Sequence, residues 1–373
     1  MARKLYPLGI QTFSEIRTND NLYIDKTAYI YRMANTDGKF IFLSRPRRFG
    51  KSLLVSTLQS YFEGRKELFK GLAIDRLEKE WTEYPVLHFD LSGGKHQEED
   101  QLNRYLDYIL KYNEHRFGIK CDAVDANVRL ANLISSVYNK TGKQVVVLID
   151  EYDKPLLDVM DMDISVQNEY GKMTLEDYNR NLLKGVYSVF KEADDDLQFV
   201  LLTGVTKFSQ VSVFSGFNQP NDISMDEHYE ALCGITEEEL YSTFEEQIKA
   251  MAVRYKTTEE GLKHKLKRKF DGYHFSPNML DIYNPFSILN ALSKKILADY
   301  WFRTGSPTYL VRLLSHFDEN INEMVNRFYP TSSFIDYKAD VEAPLPMIYQ
   351  SGYLTIKDWN MDTDSYLLDF PND

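Results

Sequence analysis

Cysteine is scarce in this sequence, which holds only Cys121 and Cys233 among its 373 residues. The two do not form a C-x-x-C pair, so the sequence predicts neither a disulfide scaffold nor a zinc site. We expect both thiols to be buried as small apolar side chains. The fold must therefore depend on a hydrophobic core. A content of 43% hydrophobic residues, in a chain long enough for two or three domains, can supply that core.

Long apolar runs are also absent. No stretch approaches the roughly 20 apolar residues that a membrane-spanning helix needs. The first seven residues, MARKLYP, lack the apolar centre of a secretory signal. We therefore expect no membrane contact and a cytoplasmic location.

Positive charge is in deficit, because 44 Lys and Arg face 56 Asp and Glu and give a net charge of -12. This balance argues against a broad nucleic-acid surface, since lysine and arginine drive phosphate binding. One local basic run, KHKLKRK at residues 263–269, is a candidate contact for nucleic acid. The alternative is a charged helical face with Leu262, Leu266 and Phe270 turned inward.

Residues 40–52, FIFLSRPRRFGKS, read as a buried strand that runs into a phosphate-binding loop. The P-loop (Walker A) pattern G-x-x-x-x-G-K-[ST] is met at its second glycine, lysine and hydroxyl, whereas Arg45 replaces its first glycine. We expect Lys51 to reach the β- and γ-phosphates and Ser52 to coordinate magnesium. The residues predicted to bind the nucleotide are Arg45, Pro46, Arg47, Arg48, Phe49, Gly50, Lys51, Ser52 and Leu53.

The three arginines of this loop allow several interpretations. They could add positive charge beside the nucleotide, contact a neighbouring subunit, or simply face the solvent. A Gly-Lys-Ser tripeptide also arises by chance, so the loop needs independent support.

A second motif provides that support. Residues 144–151, QVVVLIDE, form a β-branched apolar run that ends in two acids, which is typical of a buried parallel strand of the Walker B type. We expect Asp150 to hold magnesium through its water shell and Glu151 to orient and polarise the attacking water. The alternative is a buried strand that simply ends in a polar turn.

Two further strands are predicted at residues 84–92 and 197–206, each preceded by a helix-like segment. Alternating strands and helices predict a three-layer α/β fold with a parallel sheet. An extra strand between the P-loop strand and the acidic strand is the arrangement of P-loop ATPases with a catalytic glutamate, such as the AAA type. Thr203 then matches the position of a catalytic polar residue that contacts the γ-phosphate, although ordinary turn chemistry also explains it.

Eight motifs carry a family resemblance: PLGIQTF (7–13), LYIDKT (22–27), SRPRRFGKS (44–52), DEYDKP (150–155), TGVTKFS (203–209), DGYHF (271–275), YNPFS (283–287) and YWFRTGSP (300–307). With them the chain resembles the predicted AAA-ATPase-like family of bacterial proteins, in which arginine at the first P-loop glycine is usual. The resemblance implies ATP and Mg²⁺ as cofactors.

Many such proteins continue past the equivalent of residues 349–356 into a restriction-endonuclease-like (PD-(D/E)XK) domain, whereas this sequence stops at residue 373. We therefore expect a truncated or naturally short member. A D-x-K sequence at residues 336–338 is interpreted as a coincidence, because no upstream acid in a strand-like context accompanies it. Residues 366–371 read as an edge strand.

The chain is expected to divide into four parts. Residues 1–35 form an N-terminal segment in which Tyr23, Asp25 and Lys26 are candidates for the adenine site, with helix capping as the alternative for Asp25. Residues 36–235 form the P-loop core. Residues 236–330 form a helical lid that starts with a capping box at Thr236. Residues 331–373 form a helix-plus-hairpin piece similar to a winged helix, more suited to protein than to DNA contacts.

The sequence thus predicts a magnesium-dependent ATPase that couples hydrolysis to a conformational change of itself or of a partner, including another copy of the chain. The alternatives are a nucleotide-gated switch with little turnover and a regulatory ATPase of a DNA-processing nuclease system. GTP is not distinguished from ATP. His274 is a candidate phosphate contact and Arg303 a candidate arginine finger, each with a structural role as the alternative.

Overall fold

A five-stranded parallel sheet lies at the centre of the chain. Its strands are β1 (Phe40–Ser44), β2 (Val86–Asp90), β3 (Val145–Asp150), β6 (Leu197–Gly204) and β7 (Asn221–Asp222), in the spatial order β2-β3-β6-β1-β7. The computed structural model of the protein describes residues 4–36, 38–160, 162–168, 171–208, 220–301, 311–312, 314–315, 320–335 and 344–373.

The predicted parallel α/β sheet is confirmed, and the order of its strands is compatible with a P-loop fold. β6 lies between β1 and β3, with Leu43 opposite Thr203 on one side and Ile149 opposite Leu202 on the other. The P-loop strand and the acidic strand are therefore separated by the strand that carries Thr203. The two-residue strand β7 was not predicted, because two residues are too few to form a periodic pattern.

Helices cover both faces of this sheet. Alternate residues of the strands point to opposite faces, and because both faces are buried the strands read as continuous apolar runs. The helices of this part of the chain are α1 (Phe13–Thr18), α2 (Thr27–Thr36), α3 (Lys51–Phe62), α4 (Ala73–Leu77), α5 (Gln101–Phe117), α6 (Ala126–Thr141), α7 (Lys154–Leu157) and α8 (Leu175–Glu192). A hairpin of β4 (Ser165–Asn168) and β5 (Gly171–Thr174) precedes α8.

A helical unit with its own hydrophobic core follows the sheet. It contains α9 (Glu237–Thr243), α10 (Glu245–Arg254), α11 (Glu259–Phe270) and α12 (Pro285–Lys294), joined by the short antiparallel pair β8 (Ile235–Thr236) and β9 (Ile282–Tyr283). The capping box at the start of α9 is confirmed: the Thr236 side chain accepts from the Glu239 amide and the Glu239 carboxylate accepts from the Thr236 amide. None of the described helices is long and apolar enough to cross a membrane.

The basic run at residues 263–269 lies on α11 and matches a charged helical face. Leu262, Leu266 and Phe270 are buried in the core of the helical unit. Lys267 pairs with Asp281 at 2.7 Å and Lys269 with Asp299 at 2.5 Å. Much of the positive charge of this run is thus already neutralised by neighbouring carboxylates.

The C-terminal part of the chain forms a small antiparallel sheet. After the helix Leu345–Gln350 come β11 (Thr355–Asn360) and β12 (Ser365–Asp369), and the earlier strand β10 (Arg327–Pro330) pairs with β12. The order β10-β12-β11 places β12 in the middle, so the interpretation of residues 366–371 as an edge strand was wrong. The pairing of β10 also moves the start of this unit upstream of residue 331. A one-turn helix, Ile321–Met324, precedes it.

Candidate functional site

The loops that follow β1, β3 and β6 meet at one edge of the sheet. In a parallel sheet the carboxyl ends of the strands lie on the same side, where ligands of α/β proteins bind. The three neighbouring strands therefore bring together segments near residues 50, 150 and 205. Lys51, Ser52, Asp150, Glu151 and Thr203, which the sequence places far apart, all belong to this edge.

The loop after β1 wraps around the ammonium group of Lys51. Gly50 has φ +98°, a left-handed conformation that favours glycine, and it is the N-cap of the twelve-residue helix α3. Lys51 is 4% exposed, and its Nζ donates to the carbonyl oxygens of Arg45 at 3.0 Å and Pro46 at 3.3 Å. The loop's own carbonyls thus solvate the charge that is predicted to contact phosphates, beside the free amides of a helix start.

The two predicted metal ligands lie close together. The carboxylate of Asp150, at the end of β3, is buried, and the Ser52 side chain is near enough to lower its pKa. Burial raises the pKa of Asp150 to about 6, and the negative charges of Glu151 and Asp90 add to this, while Ser52 and the charge of Lys51 oppose it. A hydroxyl and a carboxylate oxygen are ligands that suit Mg²⁺, and a divalent cation there would favour the ionised form of Asp150.

Glu151 begins the turn after β3. Its φ of +55° is unusual for a residue with a side chain, and its amide donates to the Asp150 carboxylate at 3.0 Å. Strained backbone of this kind persists only where surrounding contacts enforce it, and it is frequent at functional sites. The side chain of Glu151 is only partly buried, so solvent can reach this acid.

The next two residues, Tyr152 and Asp153, bind the loop after β6. The Asp153 carboxylate accepts from the amides of Val205 at 2.9 Å and Thr206 at 2.6 Å. The Tyr152 hydroxyl donates to the Thr206 carbonyl at 2.7 Å and accepts from the Phe208 amide at 3.2 Å. The loops after β3 and β6 are therefore one hydrogen-bonded unit.

Gly204 is required by this unit. A Cβ at this position would lie 2.4 Å from Oδ1 of Asp153 and 2.7 Å from Cδ1 of Tyr152. The sequence reasoning did not assign Tyr152, Asp153 or Gly204 a role. The signal was present, because the DEYDKP and TGVTKFS motifs contain all three.

Thr203 lies at the end of β6 with unused hydrogen-bonding capacity. Its side chain is fully buried, and within the described ranges its hydroxyl has no hydrogen-bond partner. The Thr206 hydroxyl is in the same condition. Buried polar groups are normally paired, so an unpaired hydroxyl beside the acidic strand is a candidate ligand contact.

Comparison with known proteins gives the family. Residues 7–214 match the sequence profile of the family described as Predicted AAA-ATPase. The chain belongs to this family. Over 365 residues it is also 36% identical to an uncharacterized protein in the vnfD 5' region of Azotobacter chroococcum mcd 1, covering 95% of this chain and 65% of that protein. The chain thus spans about two thirds of the length of that relative, and the family description suggests ATPase activity.

In this AAA-ATPase family member the side chain of Arg45 is buried and bonded to residues outside the predicted site. It is 2% exposed, and its guanidinium donates to the carbonyls of Ser224 at 2.6 Å and Tyr229 at 3.1 Å. The guanidinium carbon also lies 4.2 Å from the centre of the Phe275 ring. Arg45 therefore fixes the start of the loop to the protein interior, and burial lowers its pKa from the usual value. A place for Arg45, Arg47 and Arg48 beside the phosphates stays a prediction.

The rest of the P-loop contacts the helical unit. The Arg48 guanidinium lies 4.8 Å from the centre of the Phe286 ring of α12, and the Arg47 carbonyl accepts from the Trp301 indole at 3.2 Å. Phe49 is buried, with its ring 4.9 Å from that of Tyr273. Three successive residues of the P-loop, 47–49, thus contact the part of the chain that follows β8.

An apolar cavity lies beside Gly50, at the start of α3. Leu53 of α3 lines it from one side, Tyr23 and Lys26 from the N-terminal segment, and Leu289 from α12. Asp25 does not line this cavity. Its carboxylate instead accepts from the amides of Thr27 and Ala73, the first residues of α2 and α4, and so caps both helices.

Two other candidate contacts have different outcomes. The ring of His274 bonds to the Ile356 carbonyl at 2.7 Å and to Asp281 at 2.8 Å, which is a structural role. Arg303 and residues 336–338 lie outside the described residues. Their roles stay predictions.

The buried position of Arg45 predicts that restoring the P-loop consensus will harm the site. Arg45→Gly leaves the Ser224 and Tyr229 carbonyls without their donor and opens a cavity beside Phe275, at a cost of about 2 kcal/mol or more. We expect a lower thermal midpoint and at least tenfold weaker ATP binding by calorimetry. Arg45→Lys, which keeps the charge but loses the fork, should be intermediate. Wild-type affinity in Arg45→Gly would contradict this role.

The pH dependence of stability should report the buried carboxyl of Asp153. Burial, and then the charge of Glu151, raises its pKa from 3.8 to about 7. Between these values the folded state binds more protons here than the unfolded chain, so the free energy of unfolding falls as the pH rises. We expect Asp153→Asn to flatten this fall in urea unfolding at pH 5 and 7.5. The exposed control Asp195→Asn should keep the wild-type slope, and equal slopes in both variants would refute the assignment.

Proposed function

We propose that this protein is a Mg²⁺-dependent ATPase that binds ATP at the loop between β1 and α3 and hydrolyses it at the carboxyl edge of the sheet. The observation that carries the proposal is the meeting of Lys51, Ser52, Asp150 and Thr203 at this edge. Lys51, Asp150 and Thr203 are buried, and the Thr203 hydroxyl has no hydrogen-bond partner among the described residues. If the motifs at residues 44–52 and 150–155 were chance matches, their side chains would not need to meet at one edge of the sheet.

The P-loop residues hold the triphosphate in this proposal. The amides at the start of α3 and the Lys51 ammonium bind the phosphate oxygens, so Lys51 must exchange its bonds to the Arg45 and Pro46 carbonyls for bonds to phosphate. Ser52 and Asp150 would hold Mg²⁺, the latter through water. When bound, the cation supplies charge neutralisation at the β- and γ-phosphates.

Glu151 and Thr203 act on the reacting groups. Glu151, partly open to solvent, orients the attacking water and accepts its hydrogen bond, which polarises the oxygen toward the γ-phosphate. Thr203 donates its unpaired hydroxyl to a γ-phosphate oxygen. Asp153 accepts from the amides of Val205 and Thr206 and so fixes the position of Thr203 relative to Glu151. It therefore acts as a positioning residue.

The apolar cavity beside Gly50 is the proposed site of the adenine base. Tyr23 and Leu53 lie on its walls, and Lys26 is its one charged lining group among the described residues. Lys26 is itself paired with Glu239 of α9 at 2.6 Å. Guanine recognition commonly uses a carboxylate to accept from the ring N–H and amino groups of the base. No carboxylate lines the described part of this cavity, which favours ATP over GTP.

The helical unit is proposed to act as a lid on the nucleotide. The proposal keeps the division of the chain into an N-terminal segment at 1–35, a core at 36–235, this lid at 236–330 and a C-terminal unit at 331–373, except that β10 (residues 327–330) belongs to the C-terminal unit because it pairs with β12. Contacts of Arg48 with Phe286 and of Lys26 with Glu239 join the lid to the two walls of the nucleotide site. Hydrolysis would then alter the lid and, through it, a protein partner or a second copy of the chain.

Two substitutions separate binding from turnover. Lys51→Ala removes a charge-assisted contact to phosphate, so we expect ATP binding at least tenfold weaker in calorimetry. Glu151→Gln should bind ATP with nearly wild-type affinity and release phosphate at least a hundredfold more slowly. Unchanged affinity in Lys51→Ala would sink the P-loop assignment. Binding without phosphate release by the wild type, at any protein concentration and with or without DNA, would instead indicate a nucleotide-gated switch.

Thr203→Val tests the unpaired hydroxyl. Valine has nearly the same shape and removes a buried hydroxyl that has no partner in the described chain, so the thermal midpoint should stay the same or rise. If Thr203 contacts the γ-phosphate, phosphate release should nevertheless fall about tenfold, as expected for one lost hydrogen bond. Full activity in a stable Thr203→Val protein would show that the hydroxyl has no catalytic contact.

A further inference from the structure

One turn of the C-terminal unit contacts both loops that are proposed to face the triphosphate. This turn, residues 350–353, connects the helix Leu345–Gln350 to β11 and will be called the 350–353 turn. It contacts the P-loop through Gly352 and the loop after β6 through Gln350, and the ring of its Tyr353 packs on Trp301.

Gly352 packs directly on the P-loop. Its φ is +86°, and a Cβ at this position would lie 2.8 Å from Cβ and 3.0 Å from Cγ of Pro46. Pro46 provides one of the two carbonyls that hold the Lys51 ammonium. If Lys51 binds a phosphate instead, the Pro46 carbonyl loses this hydrogen bond. Because Gly352 packs closely on Pro46, a shift of Pro46 would also displace Gly352.

Gln350 is hydrogen-bonded to the loop after β6. It is 6% exposed, and its side-chain oxygen accepts from the Lys207 amide at 3.0 Å, while its amide group donates to the Ile335 carbonyl. Lys207 directly follows the Val205 and Thr206 amides that Asp153 holds. A movement of the loop that carries Thr203 and Thr206 would therefore displace Gln350.

The far end of the turn leads into the C-terminal sheet. The Tyr353 ring lies 5.0 Å from that of Trp301, whose indole donates to the Arg47 carbonyl. Thr355, the first residue of β11, accepts from the His274 amide at 2.8 Å through its hydroxyl. The turn is thus bounded by the nucleotide loops on one side and by a strand of the C-terminal sheet on the other.

We propose that the 350–353 turn is the element that couples the nucleotide state of the P-loop and of the loop after β6 to the C-terminal antiparallel sheet. The proposal rests on the nucleotide binding proposed above. Its physical basis is that close-packed contacts move as units, so that a shift of Pro46 or Lys207 changes the packing of the turn and of β11. By linkage, the state of the sheet must in return change the affinity for nucleotide.

Hydrogen exchange of the full-length protein tests this coupling. Exchange of the β11 and β12 amides is compared without nucleotide and with a non-hydrolysable ATP analogue plus Mg²⁺, at saturation verified by calorimetry. In the wild type we expect the exchange rates in these strands to change at least fivefold, the lower end of usual coupling factors. Gln350→Met, which removes both side-chain hydrogen bonds, should bind the analogue within about threefold of wild type and lose most of this change.

A second variant and a matched control complete the experiment. Tyr353→Leu removes the ring contact with Trp301 and should also reduce the response, which preserves the test if Gln350→Met does not fold. Tyr329→Phe removes a hydrogen bond from β10 to the Met324 carbonyl, which involves no residue of the turn, and should keep the full response.

The outcomes separate this inference from the proposed function. If the wild type binds the analogue but β11 and β12 do not respond, or if both turn variants respond as the wild type does, the coupling role is wrong and the ATP site stands. If the wild type binds no nucleotide, the proposed function fails and the coupling role fails with it. An equal loss of response in Tyr329→Phe would mean that general loosening of the sheet, not the turn, explains the result.

Discussion

The hydrogen bonds between the Asp153 carboxylate and the amides of Val205 and Thr206 are the contact on which the candidate site depends. They join the end of the acidic strand β3 to the end of β6, so Thr203 is held in one position relative to Asp150 and Glu151. The contact is costly, because burial of the carboxyl group raises its pKa to about 7. The contact requires β3 and β6 to be neighbours in the sheet. It also requires glycine at position 204, because a Cβ there would collide with Asp153.

The charged and polar groups at this edge would suit the proposed ligand better than they suit the stability of the free protein. Lys51 is surrounded by carbonyls, Asp150 has a raised pKa, and the Thr203 hydroxyl is unpaired in the described structure. Each of these groups would gain partners from a triphosphate and a divalent cation, which supply the anionic oxygens and the positive charge that they lack. Burying these groups in the free protein costs free energy, which contacts with the ligand would offset. Such preorganised groups are also what an electrostatic mechanism of phosphoryl transfer needs.

Much of this could be predicted from the sequence, and the remainder could not for definite reasons. Apolar runs at residues 40–44, 145–149 and 197–203 predicted the buried strands, because parallel strands covered on both faces are uniformly apolar. The capping box at Thr236 was readable because its hydrogen bonds are local. The partners of Arg45 were not, since Ser224, Tyr229 and Phe275 are about 180 to 230 residues away in sequence. The middle position of β12 also escaped prediction, because β10, the strand that covers its free edge, lies beyond a helix.

The replacement of the first P-loop glycine by Arg45 then has a mechanical explanation. In a P-loop with glycine at that position, the start of the loop has no side chain by which other parts of the protein can hold it. Here the guanidinium ties this start to Ser224, Tyr229 and Phe275, while Arg48 packs on Phe286 at the other end of the loop. Because these contacts hold the loop at Arg45 and Arg48, a displacement of one loop residue would pass to the residues packed against the loop. In the proposed coupling, Lys51 releases the Pro46 carbonyl to bind phosphate, and the resulting displacement of Pro46 would reach Gly352 and from there the C-terminal sheet.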